Sequence, residues 1–401
     1  MSKGVVPLRE IAEIEVGYAF KSSEFSSDAS GVKLLRGDNI APGSVRWDRT
    51  ERWPESAPVA SRYRLQAGDI VLAMDRPWVG GGLKFARVRA VDLPAYLVQR
   101  VARIRASEGT NQDYLSAVIG GQAFTDYILS VQTGTSIPHI SSRQIGAFEV
   151  QLHGLADQSA IAGVLGPLND KIAVNTKVAK TAMMLAEKLY IRECASSQYT
   201  MQPLGRFATT VLGGTPSRDN LEFWSEGTVP WLNSGKANED RIIQPSEYIT
   251  EAALQRSAAK LMPEGATVIA ITGATLGQVA RLEIEASGNQ SLVGVWTEER
   301  ALNDWLHFAI REQIPELLKK ATGAAQQHVN KRDVDALEVP FVVSQGLARF
   351  SDIASPLLRA AAAADVQNLS LTATRDALLP QLMSGKLRVM DAEKVLENAG
   401  V

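Results

Sequence analysis

The chain is poor in the residues that build cross-links and metal centres. Its 401 residues include one cysteine, Cys194, which excludes a disulfide framework and any multi-cysteine metal site. Four histidines are present, His139, His153, His307 and His328; none sits in an HExxH pattern or beside a cysteine, so no metal is expected. Neither sign of charge dominates: 42 Lys/Arg against 44 Asp/Glu leave a net charge of −2, which excludes binding by bulk positive charge. No apolar run approaches the length of a membrane span, and the opening MSKGVVPLREIAEIEVG lacks the apolar core of a signal peptide. The expectation is a cytoplasmic chain in a reducing setting, away from membranes.

What the chain does have is a long internal repeat. TGTSIPHISSRQIGAFEV (133–150) aligns without a gap on TGAAQQHVNKRDVDALEV (322–339), 189 residues later. The register continues upstream, where Asp113, Leu115 and Ile119 match Asp304, Leu306 and Ile310. Further up, Gly68, Val71, Ala73 and Gly80 match Gly265, Val268, Ala270 and Gly277, and Pro7, Leu8 and Ala12 match Pro203, Leu204 and Ala208. A period of this size is a duplicated domain and not a solenoid unit. The middles differ most: RGDNIAPGSVRWDRTERW has no convincing counterpart in NSGKANEDRIIQPSEYI. A shared frame with divergent inserts suggests two related surfaces tuned to different ligands.

Each globular stretch is followed by a tail with helical rhythm. Ile161, Leu165, Leu168, Ile172, Asn175, Ala179, Ala182, Ala186 and Leu189 recur at steps of three and four, a coiled-coil seam with one polar position. Phe350, Ala354, Leu357, Ala361, Ala364, Asn368, Leu371, Leu378 and Leu382 repeat the pattern, with Arg375 interrupting. Pro167 and Pro356 fall at equivalent points, where each begins a new helix or kinks a continuing one. A helix of about 30 residues extends roughly 45 Å, so two of them packed antiparallel would hold the globular parts at a set distance. The predicted class is α+β: two similar α/β globular domains (1–155 and 198–342), two long antiparallel helices (156–197 and 343–390) and a short tail (391–401), arranged as a pseudo-two-fold repeat.

The ligand-facing candidates lie in matched loops. After predicted helices over 113–130 and 304–320, Thr133-Gly134 and Thr322-Gly323 read as turns, with glycine free to take positive φ. The next residues vary, Thr135 and Ser136 in one half against Gln326 and Gln327 in the other. Constant residues return at His139 and His328, then Arg143 and Arg332. Constant groups suit backbone phosphates and variable ones suit base edges; glutamine can bond adenine twice. A hydrogen bond from each histidine to its own loop is an equal alternative. ITGATLGQVA (271–280) runs from a strand into a small-residue turn whose Thr272, Gly273 and Thr275 could present N–H and hydroxyl groups to an anion, though no Lys-Ser/Thr follows to make a P-loop. Its counterpart, AMDRPWVGGG, offers Arg76. WLNSGKAN and LLRGDNI match as strand plus polar loop, adding Asn233, Ser234 and Lys236 in one half and Arg36 and Asn39 in the other. Between Lys33 and Arg105 there are fourteen Lys/Arg and seven Asp/Glu, a basic stretch suited to phosphate and guanine contacts; taken singly, most of these arginines are better read as paired surface charges.

With these features together, the chain resembles the specificity subunit of a type I restriction–modification enzyme. DQSAIAGVLGPLNDKIAVNTKVAKTAMMLAEKLY (157–190) is similar to that family's central helix, and TRDALLPQLMSGKLRV (374–389) to the end of its distal helix. The central helix departs from the family at Ser159-Ala160, where charged residues are common, and the distal helix is unusually rich in alanine. The resemblance implies two target-recognition domains, each reading one half of a bipartite, asymmetric double-stranded DNA site. It also implies helices that set the unread spacer and dock two methyltransferase subunits. Those partners would carry S-adenosylmethionine, and a motor-nuclease subunit would join for cleavage. No catalytic residue and no cofactor is expected in this chain, which lacks the methyltransferase Pro-Pro tetrad, a Walker A motif and G-x-S-x-G. A duplicated protein-interaction scaffold is the competing class.

Overall fold

A computed structural model describes residues 4–47, 50–57, 59–79, 82–134, 137–323, 327–342 and 344–398. The chain forms two compact units, residues 1–174 with 369–401, and residues 175–368. Each long helix is therefore divided between the units, where the sequence had suggested separate helical segments.

In the first unit, four antiparallel strands lie in the order Phe85–Arg87, Ile70–Ala73, Val101–Ala106, Ala12–Val16. The run Ile70-Val71-Leu72-Ala73 is apolar throughout because both faces are covered. Ile70 and Leu72 pack with Leu115, Ile119, Phe124, Leu165 and Leu168 on one side. Val71 and Ala73 pack with Leu35, Ile40 and Leu97 on the other, as strand alternation requires. Each such side chain contributes about 1.5–3 kcal/mol by leaving water.

The second unit repeats the order as Val279–Leu282, Thr267–Ala270, Leu292–Trp296, Thr209–Leu212, with Arg241–Ile242 added along the Val279–Leu282 edge. Ile269 faces the helical side and Val268 and Ala270 the opposite one. The divergent inserts share a plan that their sequences hide. Val32–Leu35 pairs parallel with Ala95–Leu97 and antiparallel with Arg52–Trp53. Val229–Leu232 pairs parallel with Ala286–Gly288 and antiparallel with Glu247–Ile249. Each unit is closed by one further ladder, Gly4–Pro7 with Glu149–Leu152 and Tyr199–Pro203 with Glu338–Val342.

The helix expected over 113–130 is two helices, Gln112–Ile119 and Gln122–Val131. The break falls at Gly120 and Gly121, which pass close to neighbouring side chains: a Cβ on Gly121 would lie 2.4 Å from Leu379 Cδ2. The matching helix, Arg300–Leu318, is continuous. The long helices are Leu155–Ser196 and Ser344–Met383, and both run on through Pro167 and Pro356. They pack antiparallel. In the second unit Asn175 Nδ2 donates to Gln367 (2.8 Å) while, toward the other end, Arg349 pairs with Glu193 (2.5 Å). In the first unit Arg375 donates to Asn169 (3.4 Å).

Ile161, Leu165, Leu168, Asn175 and Leu189 are buried along one seam, with Phe350, Leu371, Leu378 and Leu382 along the other; Ile172 is half-buried. One step differs from expectation: Leu358 takes the inward place and Leu357 is half-buried. The pattern steps by four from Ala354, because a 3.6-residue turn drifts against any fixed alternation.

Candidate nucleic-acid interface

The end of the strand Ile70–Ala73 is fastened to the Thr133–Ile140 loop by a clip. Arg76 N donates to Pro138 O (2.7 Å) and Ile140 N to Met74 O (2.9 Å). The loop itself is bracketed by two bonds between Thr133 and His139, 2.7 and 2.9 Å, with Gly134 at φ 91°. Across the clip, His139 Nδ1 donates to Asp75 Oδ1 (2.5 Å) and Arg100 to Asp75 Oδ2 (2.7 Å). Burial would raise the Asp75 carboxyl, but these two bonds outweigh it and hold the group below the ordinary aspartate value. Arg76 and Arg100 take left-handed φ of 45° and 65°, a conformation costing of order 1–3 kcal/mol outside glycine.

The second unit builds the same clip from other side chains. Gly273 N donates to Gln327 O (3.0 Å), Val329 N to Ile271 O (3.0 Å), and Thr322 and His328 exchange two bonds of 2.9 Å. Thr272 stands where Asp75 does, and Gly273 where Arg76 does, again with positive φ (64°). One backbone serves two chemistries.

The remaining candidates sort by what they touch. Arg143 and Arg332 are exposed at matching places on the short helices Ser142–Gly146 and Lys331–Asp335, and neither has an ion-pair partner among the described residues. Each helix is held by a capping box, Ser141 with Gln144 and Asn330 with Asp333, so the arginines stand on firm supports. Gln327 and His328 are exposed. Thr135, Ser136 and Gln326 lie outside the described residues. Asn233 is exposed but its oxygen accepts from Gly235 N (2.9 Å); Ser234 is half-buried, and Lys236 is paired with Glu239 (2.8 Å).

Two expectations are corrected. Asn39 is buried, its oxygen accepting from Arg36 N and its amide donating to Arg46 O, each at 3.0 Å, so it shapes its loop and cannot reach a base. The Thr272–Gly277 turn is not an open anion cradle. The N–H groups of Gly273, Leu276 and Gly277 are spent on internal carbonyls, and Thr275 Oγ1 donates to Thr272 O (3.3 Å).

Half of the basic stretch is neutralised. Arg62, Arg87, Arg89, Arg100, Arg103 and Arg105 carry ion pairs, and Arg36 lies 3.8 Å from both Asp38 and Glu51. Arg46, Arg64 and Arg76 are exposed with no ion pair among the described residues. Arg100 joins the site only through the fold, by its bond to Asp75. Elsewhere in the second unit Arg218 is stacked 3.6 Å from the Trp224 ring centroid while donating to both Glu247 oxygens (2.6 and 2.7 Å). Among the described residues no group of three or more His, Cys, Asp or Glu could hold a metal ion, and no helix is long and apolar enough to cross a membrane.

The fold and its twice-built clip define a duplicated α+β protein that presents two sets of loops on one frame. Residues 197–346 match the family described as the type I restriction modification DNA specificity domain. The chain is 33% identical over 177 residues to the type I restriction enzyme MjaVIII specificity subunit of Methanocaldococcus jannaschii, covering 43% of this chain and 41% of that protein. It is 35% identical over 173 residues to the EcoAI specificity subunit of Escherichia coli, covering 41% and 28%. These matches span less than half the length of either relative. The S subunit of a type I restriction–modification system from M. genitalium shares the fold over 94% of this chain and 95% of its own, with a TM-score of 0.56 and 14% identity. Residues 197–346 thus carry a type I restriction modification DNA specificity domain, and the chain is similar to type I restriction enzyme specificity subunits.

Proposed function

We propose that the chain is the DNA-reading component of a type I restriction–modification complex, each recognition domain (1–155 and 198–342) engaging one half of a split, asymmetric double-stranded target. The observation that carries this reading is the clip built twice on one backbone with different side chains. Arg143 and Arg332, constant and exposed, suit phosphates; Arg76 in one unit and Gln327 in the other, at positions that vary between the copies, suit base edges. The antiparallel helices set the unread spacer and dock two methyltransferase subunits, which supply S-adenosylmethionine and draw the target adenine out of the duplex. A motor-nuclease subunit joins where the complex cleaves. The chain contributes no catalytic group, and the assembly works in the cytoplasm.

Motif-resolved methylome sequencing of a host with and without the chain tests this. One bipartite motif should depend on it. An unchanged methylome refutes the reading, and methylation of the same motif by the partners alone favours the scaffold class. Deleting whole helical turns between Lys171 and Lys188 should shift the spacer or abolish recognition; an unchanged spacer refutes the ruler.

A further inference from the structure

One side-chain position recurs in both units with its polar head unused. Phe85, Ala86 and Arg87 pair with Leu72, Val71 and Ile70 as Val279, Ala280 and Arg281 pair with Ile269, Val268 and Thr267. One residue earlier, Ala73 N donates to Lys84 O and Ala270 N to Gln278 O, both at 2.9 Å. Lys84 and Gln278 therefore occupy one site of the duplicated frame. By strand alternation they share a face with Ala86 and Ala280, the side that carries the divergent inserts.

Lys84 is only 9% exposed, and among the described residues its ammonium has no hydrogen-bond or ion-pair partner, although it is not sealed from solvent. Gln278 Oε1 is sealed and has no partner. A polar head without a protein partner is costly to keep in the interior, and here each copy keeps one at the same place, sealed at Gln278 Oε1 and reached by solvent at Lys84. Asp38, Arg46, Arg76 and Asp75 stand near enough to act on Lys84. Burial pushes its ammonium below the ordinary lysine value, Asp38 opposes this, Arg46 and Arg76 add to it, and Asp75 opposes. Arg46 and Arg76 are exposed and unpaired among the described residues. The Lys84 position thus lies beside the clip, near two cations with no ion-pair partner among the described residues.

We propose that this strand position determines base specificity in each unit, Lys84 donating to a guanine edge in one half-site and Gln278, its carboxamide turned outward on binding, engaging an adenine edge in the other. The assignment rests on the DNA-reading function proposed above. Guanine shows two acceptors in the major groove, the complement of a donor-only ammonium. Adenine shows one acceptor and one donor, the complement of a carboxamide. A lysine stem already held in the interior loses little further rotamer freedom on binding.

The test is selection from randomised duplexes by the full chain with its methyltransferase partner. Lys84→Gln should exchange guanine for adenine at one position of one half-site, by roughly tenfold, leaving the other half-site and the salt dependence unchanged. Lys84→Arg should keep the guanine. Lys84→Met, which retains the buried stem, should lose the preference at that position alone and serves if Lys84→Gln does not fold. Gln278→Lys should bring guanine into the opposite half-site. A Lys84→Gln protein that binds every sequence more weakly, with its salt slope reduced by about one, holds a phosphate there, and the assignment falls. An unchanged motif in the variants also overturns it, while leaving the proposed function standing. A wild-type chain that selects no bipartite motif overturns both.

Discussion

The duplication sets one ion pair in two environments, and so supplies its own control. In the second unit Arg281 lies between Glu283 (2.5 Å) and Asp304 (2.7 Å), with the Arg281 and Asp304 side chains only 3% and 2% exposed. The other Asp304 oxygen accepts from Ser355 Oγ of the distal helix (2.5 Å). The matching pair in the first unit, Arg87 with Asp113, is 46% and 52% exposed. Asp304→Ala leaves a buried guanidinium facing one carboxylate and a hydroxyl without its acceptor, a loss of about 3–5 kcal/mol. Asp113→Ala removes an exposed pair that water already screens, a loss of at most about 1 kcal/mol. Hydrogen–deuterium exchange of the full chain separates them, read at Arg300–Leu318 in one variant and Gln112–Ile119 in the other. A loss of about 3 kcal/mol accelerates exchange of the most protected amides more than a hundredfold. Equal acceleration in the two variants, or less than about fivefold for Asp304→Ala, would refute the argument that burial sets the difference.

Further outcomes are expected. Asp75→Asn removes the charge that holds His139 and Arg100, so affinity should fall roughly tenfold for changes read at one half-site. Competition binding with half-site variants checks this, and an equal effect on both halves counts against it. Arg143→Ala and Arg332→Ala should weaken binding to all sequences alike and lower the salt slope by about one each; a changed motif would contradict the phosphate role. His307 is fully buried, and burial first, then Arg311, Arg281 and Arg241, push its imidazole well below 6.5. As pH falls through 6.5 the unfolded chain takes up a proton that the folded unit refuses. The second unit should therefore lose up to about 1.4 kcal/mol per pH unit on acidification and keep full stability above 6.5. Thermal melts between pH 7.5 and 5.5 test this, and His307→Phe should flatten the slope; identical slopes would be inconsistent with a neutral buried imidazole.

Much of the frame is legible in residue order. The gapless match of 133–150 on 322–339 foretells matching loops, and the brackets Thr133–His139 and Thr322–His328 are those loops. The three-and-four rhythm from Ile161 to Leu189 foretells one buried helix face. Beyond the strand-and-loop match of WLNSGKAN with LLRGDNI, equivalence of the inserts is not legible, because strands as short as Arg52–Trp53 carry too little pattern to align. Nor is the fate of Asn39, whose side chain reads as a polar loop donor and serves as an internal brace.

Repetition and periodicity are properties of neighbours along the chain, so the sequence by itself determined the two-copy plan, the long helices and the loops that face outward. Tertiary structure alone decided which polar groups are already satisfied. Asp75 meets His139 across 64 residues and Asp304 meets Ser355 across 51, and whether a charge is spent or left for a ligand depends on which surfaces fold against it. That is why Arg103 is buried and paired while Arg76, on the same basic stretch, stands exposed.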